Sequence, residues 1–140
     1  SKYNCEEEEC LLHPLVGEIY RRVSELLGIG PENFENLEFL RYGKRQHYDV
    51  HPDAIPLSIL LDRPNERGAG QRMLSVFFYL SDVEKGGETS FPEAKPFPLL
   101  VKPEIGKMIV WSNIGTNPWK QSKYAVHQAV RVRKGVKWSA

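Results

Sequence analysis

Hydrophobic positions repeat with a helical period in the N-terminal part of the chain. Apolar residues recur every three or four positions from Leu15 to Leu27, which predicts an amphipathic helix. Gly28 and Gly30 end this pattern, and Pro31 follows, as is common after a helix stop. The sequence therefore predicts one long helix before the rest of the chain.

After this helix the pattern is that of short β-strands separated by turns. Alternating or wholly apolar runs cover residues 37–42, 73–80, 107–112, 124–133 and 136–140. Turns containing glycine or proline, such as EKGGE, PEIGK and RKG, separate them. Many short strands of this kind are typical of a β-sandwich or a β-barrel. We therefore predict a mainly β fold with one long helix, in a single domain over residues 1–140.

The segment from Ala54 to Gln71 follows neither period, and we predict a long loop there. It directly follows Asp53 and leads into Arg72, which are both candidate functional residues. We therefore interpret it as a lid that becomes ordered over the functional site when substrate binds. Its apolar residues would meet the substrate or exclude water: Ile55, Leu57, Ile59, Leu60 and Leu61. The alternative is that they pack permanently as a strand or a short helix.

Charge and cysteine content limit the function only slightly. The net charge of +1 gives no strong attraction to nucleic acid. No apolar run approaches the ~20 residues that span a bilayer, and we expect neither a membrane span nor a signal peptide in this chain. Cys5 and Cys10 flank four glutamates, which fits either a solvated acidic loop or a small disulfide loop. They are too few for a thiolate zinc site.

The stretch RQHYDVHPD contains the pattern His-x-Asp twice, as His47 with Asp49 and as His51 with Asp53. Alternate side chains of a strand share a face, so each pair could bind one metal ion. Two histidines and one carboxylate are the ligand set of iron oxygenases and leave coordination positions open. The spacing does not decide which pair is the metal-binding one.

A third ligand would have to come from a distant strand. His127 lies in the middle of the predicted strand YAVHQAV and is the better candidate. His13 stands beside Pro14 at the start of the helix, where a surface or capping role is expected.

Four stretches of the chain resemble the catalytic domain of prolyl 4-hydroxylases, which are iron(II)- and 2-oxoglutarate-dependent oxygenases. They are LEFLRYGKRQHYDVHPD, GQRMLSVFFYLSDVEKGGETSFP, KPEIGKMIVW and VHQAVRVRKGVKWSA, within residues 35–140. In that family one tyrosine lies nine residues before the iron-binding histidine and another lies three before it. Tyr42 and Tyr48 hold those places relative to His51 and not relative to His47. The resemblance therefore implies that His51, Asp53 and His127 bind iron.

The resemblance also implies roles for other residues. Lys137 follows His127 by ten residues and matches the lysine that binds the far carboxylate of 2-oxoglutarate. Thr89 and Tyr42 match residues that line the same cosubstrate pocket. Three further residues match contacts to the peptide substrate: Tyr48, Arg72 and Glu35.

The implied fold is a distorted double-stranded β-helix, or jelly roll, with the long helix packed on one sheet. The chain lacks the family's flanking strands, so we expect either a domain trimmed at both ends or a smaller sheet. Pro52, where the family has an aromatic residue, predicts that the strand ends there because proline lacks the amide hydrogen a strand pair needs.

The implied function is the hydroxylation of peptidyl proline to 4-hydroxyproline, with oxidative decarboxylation of 2-oxoglutarate to succinate. Iron(II), 2-oxoglutarate, dioxygen and ascorbate are the implied cofactors, and a proline-rich or collagen-like peptide is the implied partner. The family resemblance points to the endoplasmic reticulum or the secretory pathway. Two alternatives stay open: an oxygenase of the same chemistry acting on another peptide residue or a small molecule, and a non-catalytic binding domain of the same fold.

Overall fold

The structure is a computed structural model that describes residues 1–62 and 70–140. They form two units: the first comprises residues 1–40 with Ala140, and the second comprises residues 41–139. The boundary falls within strand β2, Glu38–Tyr42. In the part of the chain that the structure describes, no helix is both long and apolar enough to cross a bilayer.

The first unit contains the predicted long helix. Helix α1 (Glu8–Leu11) precedes helix α2 (Pro14–Leu27), and a short 3-10 helix covers Pro31–Asn33. The amide of Leu15 donates to Nδ1 of His13 at 3.3 Å, so His13 caps α2 as the sequence indicated. Gly28 ends the helix with a left-handed φ of 65°, a conformation that glycine adopts without steric cost. Strand β1 (Lys2–Asn4) pairs antiparallel with the first residues of β2.

Cys5 and Cys10 form a disulfide with a Cα–Cα distance of 5.4 Å. Cys5 is buried, and its amide donates to the carbonyl of Leu37 at 2.8 Å. The glutamates between the cysteines remain exposed. Of the two alternatives for this segment, the structure has the disulfide loop.

The second unit is built almost entirely from antiparallel strands, which confirms the mainly β prediction. Its four-stranded sheet has the order β3-β9-β6-β7, and two smaller sheets pair β4 with β8 and β5 with β10. The strands are β3 (Tyr48–His51), β4 (Leu74–Phe78), β5 (Lys85–Gly86), β6 (Thr89–Phe91), β7 (Leu99–Val101), β8 (Met108–Ser112), β9 (His127–Ala129), β10 (Val132–Lys134) and β11 (Lys137–Ser139). Strand β3 ends at His51, directly before Pro52, as predicted.

The prediction of one continuous strand over residues 124–133 is wrong. A 3-10 helix covers Lys123–Ala125, and the following residues divide into β9 and β10, which pair with different sheets. The backbone passes between the sheets at Arg131, whose carbonyl oxygen would lie 2.2 Å from a Cβ atom on Gly86. Gly86 has a φ of 78° and no side chain, so it permits this close approach.

The prediction of a loop from Ala54 to Gln71 is wrong for its first half, where helix α3 covers Leu57–Asp62. Pro56 begins this turn of helix, because its carbonyl accepts hydrogen bonds from the amides of Ile59 and Leu60. Ile55 is buried, and the side-chain amide of Gln71 bonds to both its N–H and its C=O, at 2.7 and 2.9 Å. Burial and these two hydrogen bonds therefore hold Ile55 in place. The rest of the predicted lid, residues 63–69, lies outside the described residues.

Strand β4 presents one face to the interior of the second unit. Ser75, Phe77 and Tyr79 alternate along this strand and its continuation, so their side chains share that face. The ring of Phe77 contacts that of Tyr79 at a centroid distance of 5.2 Å, and Tyr79 is completely buried. This face carries Ser75 at one end and Tyr79 at the other, and both contact candidate site residues.

Candidate active site

Strand pairing brings two histidines together. Strands β3 and β9 run antiparallel with His51 opposite His127, and their ring centroids are 4.4 Å apart. Asp53 follows β3, and its Oδ1 lies 3.7 Å from the Nε2 atom of each histidine. One potential ligand atom from each of the three residues lies within 4.8 Å of the others, and no other cluster of this kind occurs among residues 1–62 and 70–140.

The hydrogen bonds of the two imidazoles fix which nitrogen is available. Nδ1 of His51 lies 2.7 Å from the carbonyl oxygen of Asp49, and Nδ1 of His127 lies 2.9 Å from that of Ala125. A carbonyl oxygen only accepts, so Nδ1 carries the hydrogen in both rings and Nε2 keeps its lone pair. Burial lowers the pKa of His127, which favours its neutral form. Two Nε2 atoms and a carboxylate oxygen facing one another form a donor set that fits a divalent iron ion.

The other His-x-Asp pair lies outside this cluster. Nε2 of His47 is 3.2 Å from Oδ1 of Asp49, and these side chains are 40% and 94% exposed. They form a surface pair in high dielectric, where such contacts contribute little to stability.

The second oxygen of Asp53 is also engaged. Oγ of Ser75 donates to Oδ2 of Asp53 at 2.5 Å, and Nδ2 of Asn113 donates to Oγ of Ser75 at 2.9 Å. The sequence analysis did not identify Ser75 or Asn113. Ser75 could have been noticed, because it is a polar residue at an inward position of an otherwise apolar strand.

A buried lysine lies in the same unit. The side chain of Lys137 is 0% exposed, and its Nζ lies 3.4 Å from Oγ1 of Thr89. In the described part of the chain no carboxylate lies within ion-pair distance of this nitrogen. Burial lowers the pKa of Lys137 to about 8. The charge of Glu88 opposes this lowering only in part, and a buried ammonium without an ion-paired carboxylate is costly, so this position fits an anionic ligand.

Thr89 is a second buried polar residue beside Lys137. The hydroxyl of Tyr79 donates to Oγ1 of Thr89 at 2.7 Å, and burial raises the pKa of Tyr79, which keeps it protonated. Oγ1 of Thr89 thus accepts from both Tyr79 and Lys137, and both of its lone pairs are occupied. Its own hydrogen remains to be donated. The sequence analysis did not identify Tyr79.

Aromatic rings surround the lysine and connect it to the histidines. Nζ of Lys137 lies 5.8 Å from the ring centre of Tyr42 and 5.3 Å from that of Phe77. The ring of Phe77 is 6.2 Å from that of Trp111, which in turn contacts His127 edge-on at 4.8 Å. These rings form an apolar surface between Lys137 and His127, and the sequence analysis predicted no role for Trp111.

The predicted substrate residues belong to both units. Tyr48 is exposed on β3, and its ring meets that of His51 edge-on at 4.1 Å. Arg72 is exposed just before β4, and its amide donates to Oε1 of Gln71 at 2.9 Å. Glu35 belongs to the first unit, where its carbonyl oxygen lies 3.5 Å from the hydroxyl of Tyr20. Their contact with a peptide stays a prediction.

The sequence of most of the chain matches one family model, that of the 2OG-Fe(II) oxygenase superfamily, over residues 37–140. The chain belongs to the 2OG-Fe(II) oxygenase superfamily. This family is named for iron(II) and 2-oxoglutarate, the two groups that the histidine–aspartate cluster and the buried lysine fit.

Relatives within the 2OG-Fe(II) oxygenases carry prolyl 4-hydroxylase names. Probable prolyl 4-hydroxylase 10 of Arabidopsis thaliana is 36% identical, over 89% of this chain and 47% of its own length. A putative prolyl 4-hydroxylase of Acanthamoeba polyphaga mimivirus is 31% identical, over 91% of this chain and 52% of its own. This chain spans about half the length of these curated relatives.

A solved structure shares the fold. The viral collagen prolyl hydroxylase of Paramecium Bursaria Chlorella virus-1, in its 2OG complex, superimposes with a TM-score of 0.76 at 23% identity. The match covers 99% of this chain and 75% of that one. It confirms the predicted double-stranded β-helix of the 2OG-Fe(II) oxygenases.

Proposed function

We propose that this chain hydroxylates peptidyl proline at the 4-position and couples this to the oxidative decarboxylation of 2-oxoglutarate. One molecule of dioxygen supplies one oxygen atom to hydroxyproline and one to succinate, with release of carbon dioxide. The observation that carries the proposal is the cluster of His51, Asp53 and His127 in one unit with the buried ammonium of Lys137. Residues 1–140 would then form a single catalytic domain.

The iron-binding residues are the three of the cluster. Nε2 of His51, Nε2 of His127 and Oδ1 of Asp53 would hold the metal, because they face one another and their other polar atoms are already hydrogen-bonded. Bound iron(II) supplies the activation of dioxygen that links decarboxylation to hydroxylation of a C–H bond. The carbonyls of Asp49 and Ala125 keep the rings in the tautomer that binds metal.

The remaining cosubstrate interaction concerns the far carboxylate of 2-oxoglutarate. Lys137 would neutralise it, and the free hydrogen of Thr89 would donate to it. Tyr42, Phe77 and Trp111 would exclude water from this end, which strengthens the charge pair. Dioxygen, and ascorbate as the reductant, are the other cofactors that we propose for this reaction.

The peptide would bind beside the metal, at the exposed edge of β3. The exposed ring of Tyr48 against His51 offers an apolar surface there, and a proline-rich segment already has the extended conformation that such surfaces bind. Arg72 and Glu35 are the other proposed contacts. The hydroxylase names of the relatives support proline as the target, and a collagen-like sequence is the substrate class we propose.

Mass spectrometry of peptide products tests the proposal. The protein is incubated with iron(II), 2-oxoglutarate, ascorbate and a proline-rich peptide, and with the same peptide in which alanine or lysine replaces proline. We expect a gain of one oxygen atom only in the proline peptide, together with an equal amount of succinate.

Each other outcome identifies one of the alternatives. Succinate formation with oxygen gained by a peptide that lacks proline would indicate the same chemistry on another residue. Absence of 2-oxoglutarate turnover with every peptide, while wild-type protein binds metal, would indicate a binding domain without catalysis.

A further inference from the structure

The carboxylate of Asp53 is held by a chain of two hydrogen bonds that begins at a buried amide. Nδ2 of Asn113 lies 2.9 Å from Oγ of Ser75, and this hydroxyl lies 2.5 Å from Oδ2 of Asp53. Neither Ser75 nor Asn113 is one of the three residues of the metal cluster. Their hydrogen bonds connect to the cluster through Asp53.

The direction of the chain follows from which groups can donate. The NH2 group of an amide only donates, and an ionised carboxylate only accepts. A serine hydroxyl has one hydrogen, so when the amide of Asn113 donates to its oxygen, that hydrogen is directed at Asp53. A hydrogen bond to a charged acceptor is about twice as strong as a neutral one, and an incoming donor polarises the hydroxyl further.

Asn113 is a rigid starting point for this chain. Asn113 is 1% exposed. Its backbone N–H donates to the carbonyl of Met73 at 2.9 Å, and its backbone C=O accepts from the amide of Ser122 at 2.9 Å. Its Oδ1 is buried and has no hydrogen-bond partner among the described residues. Leaving a buried acceptor unpaired costs about 1–3 kcal/mol. Among the described residues, the hydrogen bond that this side-chain amide makes is the donation from Nδ2 to Ser75.

The consequence concerns which oxygen of Asp53 can reach a metal. Because Oδ2 is engaged by Ser75, Oδ1 is the oxygen that faces both histidines, at 3.7 Å from each Nε2 atom. Without the bond from Ser75, the carboxylate of Asp53 could rotate about its χ angles, and Oδ1 would no longer be fixed toward the histidines. Asp53 lies after the end of β3, so strand pairing does not restrain its backbone either.

We propose that Ser75 and Asn113 are positioning residues that orient Asp53 for metal binding. This inference rests on the proposed function of the cluster. Outer hydrogen bonds of this kind typically contribute 10- to 100-fold to metal affinity. The chain from Asn113 to Asp53 is thus part of the metal site, although two of its three residues touch no metal.

A matched pair of substitutions at Ser75 tests the proposal. Ser75→Thr keeps the hydroxyl and Ser75→Val removes it, while both have the same β-branched shape suited to a strand. The metal-free proteins are titrated with Mn(II), and the free ion is followed by electron paramagnetic resonance. We expect the Kd to rise about 10-fold or more in Ser75→Val and to stay within about 3-fold of wild type in Ser75→Thr. Equal Kd values in folded Thr and Val variants would overturn the proposal.

Asn113→Leu provides a second measurement that does not depend on the folding of Ser75→Val. It removes the donor with a similar shape, and we expect a several-fold rise in the Kd for Mn(II). In the Ser75→Val background the same change should add nothing, because the hydroxyl it serves is absent. An unchanged Kd in folded Asn113→Leu, or fully additive effects in the double variant, would contradict the proposal that Asn113 acts on Asp53 through Ser75.

Ser81→Ala is the control for loss of a structural hydroxyl. Ser81 donates to the carbonyl of Val136 at 3.1 Å and accepts from the amide of Trp138 at 2.8 Å, without contact to Asp53. We expect lower thermal stability and an unchanged Kd for Mn(II). Wild-type protein that does not bind Mn(II), or binding that survives His51→Ala, would instead contradict the proposed function together with this inference.

Discussion

The segment from His47 to Asp53 contains His-x-Asp twice, and the two copies lie in different surroundings. The side chains of His47 and Asp49 contact each other at the surface, with Nε2 and Oδ1 3.2 Å apart. His51 and Asp53 are half-buried in the second unit, where Oδ1 of Asp53 is 3.7 Å from Nε2 of both His51 and His127. Identical spacing on one stretch of chain has therefore produced one surface contact and one candidate metal centre.

The difference between the copies comes from their partners on other strands. His51 is placed opposite His127 by the pairing of β3 with β9, and Ser75 on β4 engages Asp53. The surface copy has no third ligand-type side chain in the described residues. A common two-residue motif becomes a site only where neighbouring strands add ligands, hydrogen bonds and exclusion of water.

The largest expected effect separates the two histidines. His51→Ala should reduce hydroxylation to the background of the assay, because it removes one of three metal ligands, while His47→Ala should keep most of the activity. Succinate formation and Mn(II) affinity would be measured for both folded variants. A loss confined to His47→Ala would reverse the assignment, and equal losses would leave the comparison between the copies without support.

The second-largest effect compares a buried lysine, Lys137, with an exposed one, Lys134. Lys137→Ala should raise the KM for 2-oxoglutarate by ~30-fold or more, because removing one partner of a buried charge pair costs ~2–5 kcal/mol. Lys134→Ala is the matched control, since Lys134 is exposed and pairs with Glu84 at 2.6 Å. We expect its KM to remain near that of wild type. An unchanged KM in Lys137→Ala would refute the carboxylate-binding role.

A pH effect follows from the burial of Lys137. Its pKa is lowered to about 8, so the ammonium that would bind 2-oxoglutarate is present below that pH and is lost above it. We expect the KM for 2-oxoglutarate to rise by up to about tenfold per pH unit above pH 8. Lys137→Arg remains charged over this range, so its KM should be higher but should change less with pH. Parallel pH profiles for the two proteins would contradict this explanation.

The smallest effect is expected at the surface aspartate. Asp49→Asn should change the free energy of unfolding by no more than about 0.5 kcal/mol, because Asp49 is almost fully exposed. Excess Mn(II), at about 100 times its Kd, should stabilise both wild type and this variant by about 2.7 kcal/mol. Asp53→Asn should lose most of that gain. Thermal or denaturant unfolding with and without Mn(II) measures each value.

Much of the site could be predicted because its signals are local. The helical period placed α2, Pro52 marked the end of β3, and the resemblance to prolyl 4-hydroxylases selected His51, Asp53, His127, Thr89 and Lys137. The structure brings the first three together and places the last two beside each other. Their roles in catalysis are the part that the predictions above test.

The supporting residues could not be found in this way. Ser75, Tyr79 and Trp111 stand within hydrophobic strands, where alternation indicates an inward face but not what lies opposite it. Asn113 follows β8 in a turn, where asparagine is common for local reasons. The division of residues 124–133 into two strands escaped notice because a change of sheet leaves the hydrophobic pattern unbroken.

The sequence by itself determined the long helix, most of the strands and the two copies of His-x-Asp, because side-chain periodicity and helix and strand ends depend on neighbouring residues. Only the tertiary structure decided which copy gains a third ligand. That choice depends on the register of β3 against β9, which sets His51 opposite His127 although they are distant in the chain. Such register is set by backbone hydrogen bonds and by the burial of one face against other strands, interactions that no local stretch of sequence contains.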